Sequence, residues 1–187
     1  MLKHFTTKEI IFIALAGALG FVVAFALGSG LLAVTGTPMV GGIIVSLFVA
    51  FIWVCAALIV RKFGVLTLIT LIHMLLSTPT INFGPPGAYK IVIGVTLGLL
   101  MDIILYSTNY KKFAYYFSAA LGFLLVIPYM IWFLKLLKMP AVEKLAPLMY
   151  PLMGIYLVEA LIGTWLAFKF YERKLKYMSV VRQITSN

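Results

Sequence analysis

NFGPPGAYKIVIGVTLGLLMD, residues 82–102, is the stretch from which the rest of the chain can be read. Gly84-Pro85-Pro86-Gly87 cannot continue a helix from the preceding side, because proline lacks an amide donor and restricts the residue before it, whereas Pro86 suits a first helical turn. A helix therefore starts here. From Gly87 to Tyr106 the only charged residues are Lys90 and Asp102. About 20 residues at ~1.5 Å each reach roughly 30 Å, the thickness of a bilayer's hydrocarbon core. Lys90, Gly94, Gly98 and Asp102 recur every four residues and share one stripe, and Gly94-x-x-x-Gly98 lets a second helix approach to backbone contact. The stripe is expected to face protein. Lys90 is either an end charge that snorkels to the headgroups or part of a ligand site.

Working outward, 64% of the 187 residues are hydrophobic and 11% are charged, and mean hydropathy is +1.12. A soluble domain of this size has no interior large enough to hide that much apolar surface. The expectation is an all-α membrane protein, a single integral domain over residues 1–187. A net charge of +10 would in a nucleic-acid binder form a basic face interleaved with aromatics, but here Lys and Arg gather at the ends of apolar blocks. No nucleic acid is expected. Cys55 is the lone cysteine, which rules out an intrachain disulfide or a cysteine-based metal cluster.

Six apolar blocks follow one another, about 7–27, 40–60, 63–78, 87–106, 113–137 and 147–170, and suggest a compact six-transmembrane-helix bundle. Six spans put both termini on one side. That side then carries Arg61-Lys62, Lys111-Lys112 and the Lys169–Arg182 cluster, so by the positive-inside rule both termini are cytoplasmic. The third block is short for a full span, which lets Ser77–Pro86 dip into the membrane plane beside an outer cavity. The uncharged connection Gly28–Gly42, with five glycines, could cap such a pocket.

Several side chains carry chemistry within the blocks. Glu159 lies near the middle of block six, where an acid costs about 3 kcal/mol on insertion scales and so calls for a partner. His73, Lys90 and a cationic or donor-bearing ligand are the alternatives, with Tyr156 near the same face. His73 lies in the outer half, bonded to a neighbouring helix or to ligand; no second histidine stands at i+3 or i+4, so no metal site is expected. Pro128 kinks block five and places Tyr129 and Trp132 on the outer side, as ligand contacts or headgroup anchors. Asp102, close to the cytoplasmic end, is expected to answer Lys111 or Lys112. Ala16, Gly20, Ala24 and Gly28 form a small-residue ridge on block one, beside Ala14 and Ala18, for packing within the bundle or for docking a partner. No nucleotide-binding, hydrolase or paired-aspartate motif occurs, so no enzyme, catalytic residue or cofactor is expected.

Six spans in under 200 residues, the Ala14-x-x-x-Ala18 pair, a long loop after the first helix and the run FGPPGAYKIVIGVTLGLLMDIIL together resemble an S component of an energy-coupling factor (ECF) transporter. The resemblance covers nearly the whole chain through loose motifs. It implies a high-affinity binding subunit of an ABC-type importer in the cytoplasmic membrane, taking up a vitamin or vitamin precursor. It also implies that the small residues of helix one, Ala14 and Ala18, dock on a transmembrane T component that carries two ATPase subunits. The substrate site would gather Thr35, Asn82, Tyr89, Lys90, Tyr129, Trp132, Tyr156 and Glu159 at the outer face. The histidine-led N-terminus of the cobalt and nickel members is missing, which speaks against a metal substrate. One midplane acid among aromatics suits thiamine or its pyrimidine precursor; Lys90 at the mouth would instead suit a carboxylate-bearing vitamin. The alternative function is a stand-alone small secondary transporter or a membrane scaffold, although the six blocks carry no convincing inverted repeat.

Overall fold

The computed structural model describes residues 4–35, 44–81, 84–139, 142–143 and 146–185. Within them the chain forms seven α-helices: α1 (Thr7–Thr35), α2 (Val45–Val60), α3 (Val65–Ser77), α4 (Tyr89–Ser107), α5 (Lys112–Leu136), α6 (Met149–Arg173) and a short α7 (Ser179–Thr185). The first six stand at the six apolar blocks. Four helical stretches, Thr7–Leu31, Tyr89–Ser107, Lys112–Leu136 and Ala146–Tyr177, are long and apolar enough to cross a bilayer, and on that basis this is a multi-pass membrane protein. Both α2 and α3 are shorter.

Packing closes the first six helices into a ring in the order α1–α2–α6–α5–α4–α3 and back to α1. Glycines sit at four of the seams, where a Cβ would collide with the neighbour. Gly17 of α1 lies against Ile69 O and Ile72 of α3, and Gly163 of α6 lies against Leu47 O and Ala50 of α2. Gly122 of α5 seats the Met101 side chain of α4. The Lys90–Gly94–Gly98–Asp102 stripe faces α3, as its spacing predicts: Gly94 abuts Thr70 O and Met74, and Gly98 abuts Leu66 O and the Thr67 Cα. Because lipid supplies little drive for helix association, such contacts carry it through dispersion.

One end of the ring is tied together by the N-terminus. Thr6 and Glu9 form a capping box: Thr6 N–H donates to Glu9 Oε2 (2.7 Å) and Glu9 N–H to Thr6 Oγ1 (3.3 Å). Lys62, in the α2–α3 turn, donates to the same Glu9 oxygen (2.7 Å) and to His4 O (2.9 Å). Gly64 makes that turn with φ +95°, a region L side chains avoid.

One open alternative is decided and two expectations change. The Ala16, Gly20, Ala24 and Gly28 ridge is buried inside the bundle, so it packs α1 on its own neighbours and is not a free docking ridge. Ala14 and Ala18 are partly exposed beside exposed Leu15 and Leu19. Helix α1 runs on through Gly28 and Gly30 to Thr35, because the loop's Leu31, Leu32, Ala33 and Val34 continue the apolar helix past two glycines that merely weaken it; the rest of the expected capping loop, 36–42, lies outside the described residues. Asp102 does not answer Lys111 or Lys112. Its Oδ1 accepts from Leu66 N–H (3.2 Å), and its Oδ2 from Thr67 N–H (2.8 Å) and Thr67 Oγ1 (2.7 Å). Asp102 thus caps the N-terminus of α3 from across the seam, where an anion also meets the positive end of the helix dipole.

Candidate functional site

The end of the bundle opposite the capping box is shaped by unequal helix lengths. At ~1.5 Å per residue, the 29 residues of α1 span about 43 Å. The 16 of α2 and 13 of α3 span only about 24 and 20 Å. The Lys62–Glu9 ion pair levels the α2–α3 turn with the start of α1, so α1 outruns both short helices at the far end. Helix α6 also extends past α2, because Glu159, ten residues into α6, meets the first residue before α2. The tips of α2 and α3 therefore form a floor that α1 and α6 overtop, with the start of α4 level with it, since Lys90 of α4 reaches Ser77 O.

Each tip carries a buried charge of the sign its dipole favours. At the start of α2, Ile44 N–H donates to Glu159 Oε1 at 2.6 Å. Ile44 holds φ 75°, an uncommon region for a β-branched residue, which turns its amide toward α6. The close α2–α6 contact at Gly163, one turn farther along α6, makes the approach possible. Glu159 is only 8% exposed, and its Oε2 has no hydrogen-bond partner among the described residues. At the end of α3, Lys90 Nζ donates to Ser77 O (3.1 Å) and Thr80 O (2.7 Å) and is 1% exposed. The ammonium reinforces the helix end, where Ser77 O also accepts from Thr80 N–H and Thr80 Oγ1.

Beside the floor, on α4 and α5, four rings touch in series. Tyr89 lies 6.2 Å from Phe133, Phe133 lies 5.2 Å from Tyr129 and 4.9 Å from Trp132, and Tyr129 stacks on Trp132 at 6.0 Å. Tyr89 Oη donates to Pro85 O (2.7 Å), which holds the Gly-Pro-Pro-Gly corner over the start of α4. Trp132 is 54% exposed, so its outer face is open. Tyr156 is buried on α6, one turn from Glu159. His73 is wholly buried, with Trp53 and Phe21 edge-on to it at 5.4 and 6.3 Å, against Gly20. It belongs to the bundle centre and not to the floor.

Of the residues expected at the site, the structure thus places Glu159 at the α2–α6 seam with Tyr156 buried one turn before it on α6, Lys90 at the α3–α4 seam, and Tyr89, Tyr129 and Trp132 on α4–α5, all toward the same end. Glu159's described partner is the Ile44 amide, and not His73 or Lys90. Asn82 and the side chain of Thr35 lie outside the described residues. Sequence reasoning missed Phe133, which links the rings, and Ile44, whose contribution is a backbone amide. A spacing of four from Tyr129 to Phe133 on one helix face was the available signal for the first. For the second there was none.

Chemically, the floor offers a carboxylate oxygen still able to accept a hydrogen bond, a set of aromatic faces, and an ammonium already given to two carbonyls. No group of three His, Cys, Asp or Glu able to hold a metal occurs among the described residues. A void of about 20 Å³ in the bundle centre, lined by Trp53, Thr70, Met74, Gly94, Met101 and Gly122 among others, is of single-water size and almost wholly apolar. Compared with protein-family models, with curated proteins and with solved structures, the chain finds no match.

Proposed function

We propose that this chain is the substrate-binding subunit, an S component, of an ECF-type importer, and that it takes a vitamin-like heterocycle bearing a cation or an amine donor, of which thiamine or its pyrimidine precursor is the model. The observation that carries the ligand class is the buried Glu159 carboxylate with one oxygen left over. A buried unmet acceptor costs about 1–3 kcal/mol, more when charged, and a ligand donor would remove that cost. The Tyr89–Phe133–Tyr129–Trp132 series supplies faces on which a flat ring can stack, at about 0.5–1.5 kcal/mol per contact.

The same geometry argues against the carboxylate-bearing alternative. Lys90 is engaged by Ser77 O and Thr80 O, and drawing it to an anionic ligand would cost both bonds. In this reading α1 meets the T component through the partly exposed strip that holds Ala14 and Ala18, and the two ATPase subunits act through that T component. The basic end lies in the cytoplasm by the positive-inside rule.

A binding titration with thiamine and its pyrimidine precursor on the purified protein tests the ligand class. Glu159→Gln should weaken binding by more than tenfold, or about 1.4 kcal/mol, while Lys90→Met changes affinity less than threefold. Tight binding of an anionic vitamin that depends on Lys90 would refute it. The assembly is tested by co-purification with the T component and ATPases of the same host. Ala14→Trp or Ala18→Trp should abolish recovery of the complex without loss of ligand binding, and uptake that proceeds without the ATPases would reject the assignment in favour of a stand-alone transporter.

A further inference from the structure

We infer that the basic end of the bundle is a binding surface for anionic phospholipid headgroups, and that the segment after α6 is its interfacial foot. Of the acids there, Glu9 is taken by Lys62 and Asp102 is buried at the start of α3. At that end Glu172 is the exposed acid left among the described residues. Against it stand exposed Lys111 and Lys112 at the start of α5, Lys169 and Arg173 at the end of α6, and Lys174 and Lys176 beyond it. The field of that end is strongly positive.

Positive charge alone would suit an acidic protein as well as a lipid. The side chains between the charges favour the lipid. Lys169 Nζ lies 4.7 Å from the ring centre of Trp165, which is 51% exposed on α6. Lys176 Nζ lies 4.8 Å from the ring centre of Tyr177, itself exposed next to exposed Met178. An aromatic ring below a lysine is the arrangement of a residue pair at headgroup level, the ring among the upper acyl carbons and the ammonium among phosphates.

The chain path agrees with this. After α6 a 3-10 turn, Leu175–Tyr177, leads into α7, and α7 returns against α2 with Val181 and Ile184 buried. One side of the segment is thus held by protein, and the other offers Lys174, Lys176, Tyr177 and Met178 to the surroundings. Each cation near an anionic surface adds about fivefold in affinity.

The test uses the full chain in a neutral maltoside detergent, titrated with phosphatidylglycerol or phosphatidylcholine while thermal unfolding is followed. Phosphatidylglycerol should raise the midpoint by several degrees and phosphatidylcholine should not. Lys174→Gln/Lys176→Gln should keep the wild-type midpoint in detergent alone and weaken the apparent phosphatidylglycerol affinity at least tenfold. Lys135→Gln/Lys138→Gln, the same charge loss at the opposite end, should leave that affinity unchanged. Tyr177→Ser supplies a variant with all charges intact and should also weaken it. Equal stabilisation by both lipids, an equal loss in the Lys135/Lys138 control, or full stabilisation by inorganic phosphate would overturn the inference.

Discussion

Asp102→Ala is expected to be among the most damaging single substitutions in the bundle, although in sequence the residue reads as a routine charge near a helix end. The carboxylate accepts three hydrogen bonds, from Leu66 N–H, Thr67 N–H and Thr67 Oγ1, and is 1% exposed. Removing it leaves two helix-terminal amides without acceptors in a buried seam, at about 1–3 kcal/mol per group. The net loss should be about 3–5 kcal/mol, which for a chain of this length lowers the thermal midpoint by roughly 10 °C. Asp102→Asn keeps one acceptor oxygen but turns an amide toward donors, and should lose about half as much. Lys111→Ala and Lys112→Ala should each stay within about 1 kcal/mol, as exposed charges do. Thermal unfolding in detergent, read by intrinsic fluorescence, gives all four values. If Asp102→Ala unfolds within a degree or two of wild type, or if Lys111→Ala reproduces its loss, the trans-capping role is wrong.

The glycine seams predict opposite signs for one chemical change. Gly98→Ala places a Cβ against Leu66 O and the Thr67 Cα and should destabilise by about 1–3 kcal/mol as overpacking does; Gly154→Ala, with open space around it in α6, should stabilise by up to about 1 kcal/mol, both read as shifts of the unfolding midpoint. Lys90→Met leaves Ser77 O still bonded to Thr80 N–H and Oγ1 and strips mainly Thr80 O, so it should lower stability by about 1–3 kcal/mol, with hydrogen exchange rising around residues 77–80. Val181→Asp should release α7 from α2, seen as rapid proteolysis after Arg173 while the rest of the bundle stays intact.

The periodic part of this fold was legible because it depends on residues close in sequence. Successive apolar blocks located six helices, and the four-residue stripe on α4 pointed at a protein neighbour, which proved to be α3. What could not be read was azimuth and depth. That Lys90 and Asp102, 12 residues apart, bracket a 13-residue α3 could have been noticed as a matched length, but nothing in a one-dimensional pattern says which neighbour a stripe meets. The seven-residue α7 was missed because it lies beyond the last long apolar block; its signal is only Val181 and Ile184, three apart among polar residues. At the site, Glu159 stood out as an acid in an apolar helix. Its partner did not, because a backbone amide at residue 44 leaves no mark on residue identity.

Two of the buried charges allow a structural role to be told from a binding role by comparison within one molecule. Asp102 and Glu159 are both carboxylates at helix N-termini, yet the first accepts three hydrogen bonds and the second one. A carboxylate kept only to cap α2 would be served as well by an amide, since a glutamine oxygen can still accept from Ile44 N–H and its NH₂ has no charge to desolvate. Glu159→Gln should therefore leave stability within about 1 kcal/mol or raise it, because the cost of a partly unmet buried charge disappears. Asp102→Asn has no such compensation, as its NH₂ faces donors. The two carboxylate-to-amide changes should separate cleanly: the first lowers ligand affinity and spares the fold, the second lowers the fold's stability in proportion to the bonds lost. If Glu159→Gln instead destabilises as much as Asp102→Asn, the charge itself is needed to hold the start of α2 against α6, and the case for a donor-bearing ligand at the floor of the bundle falls with it.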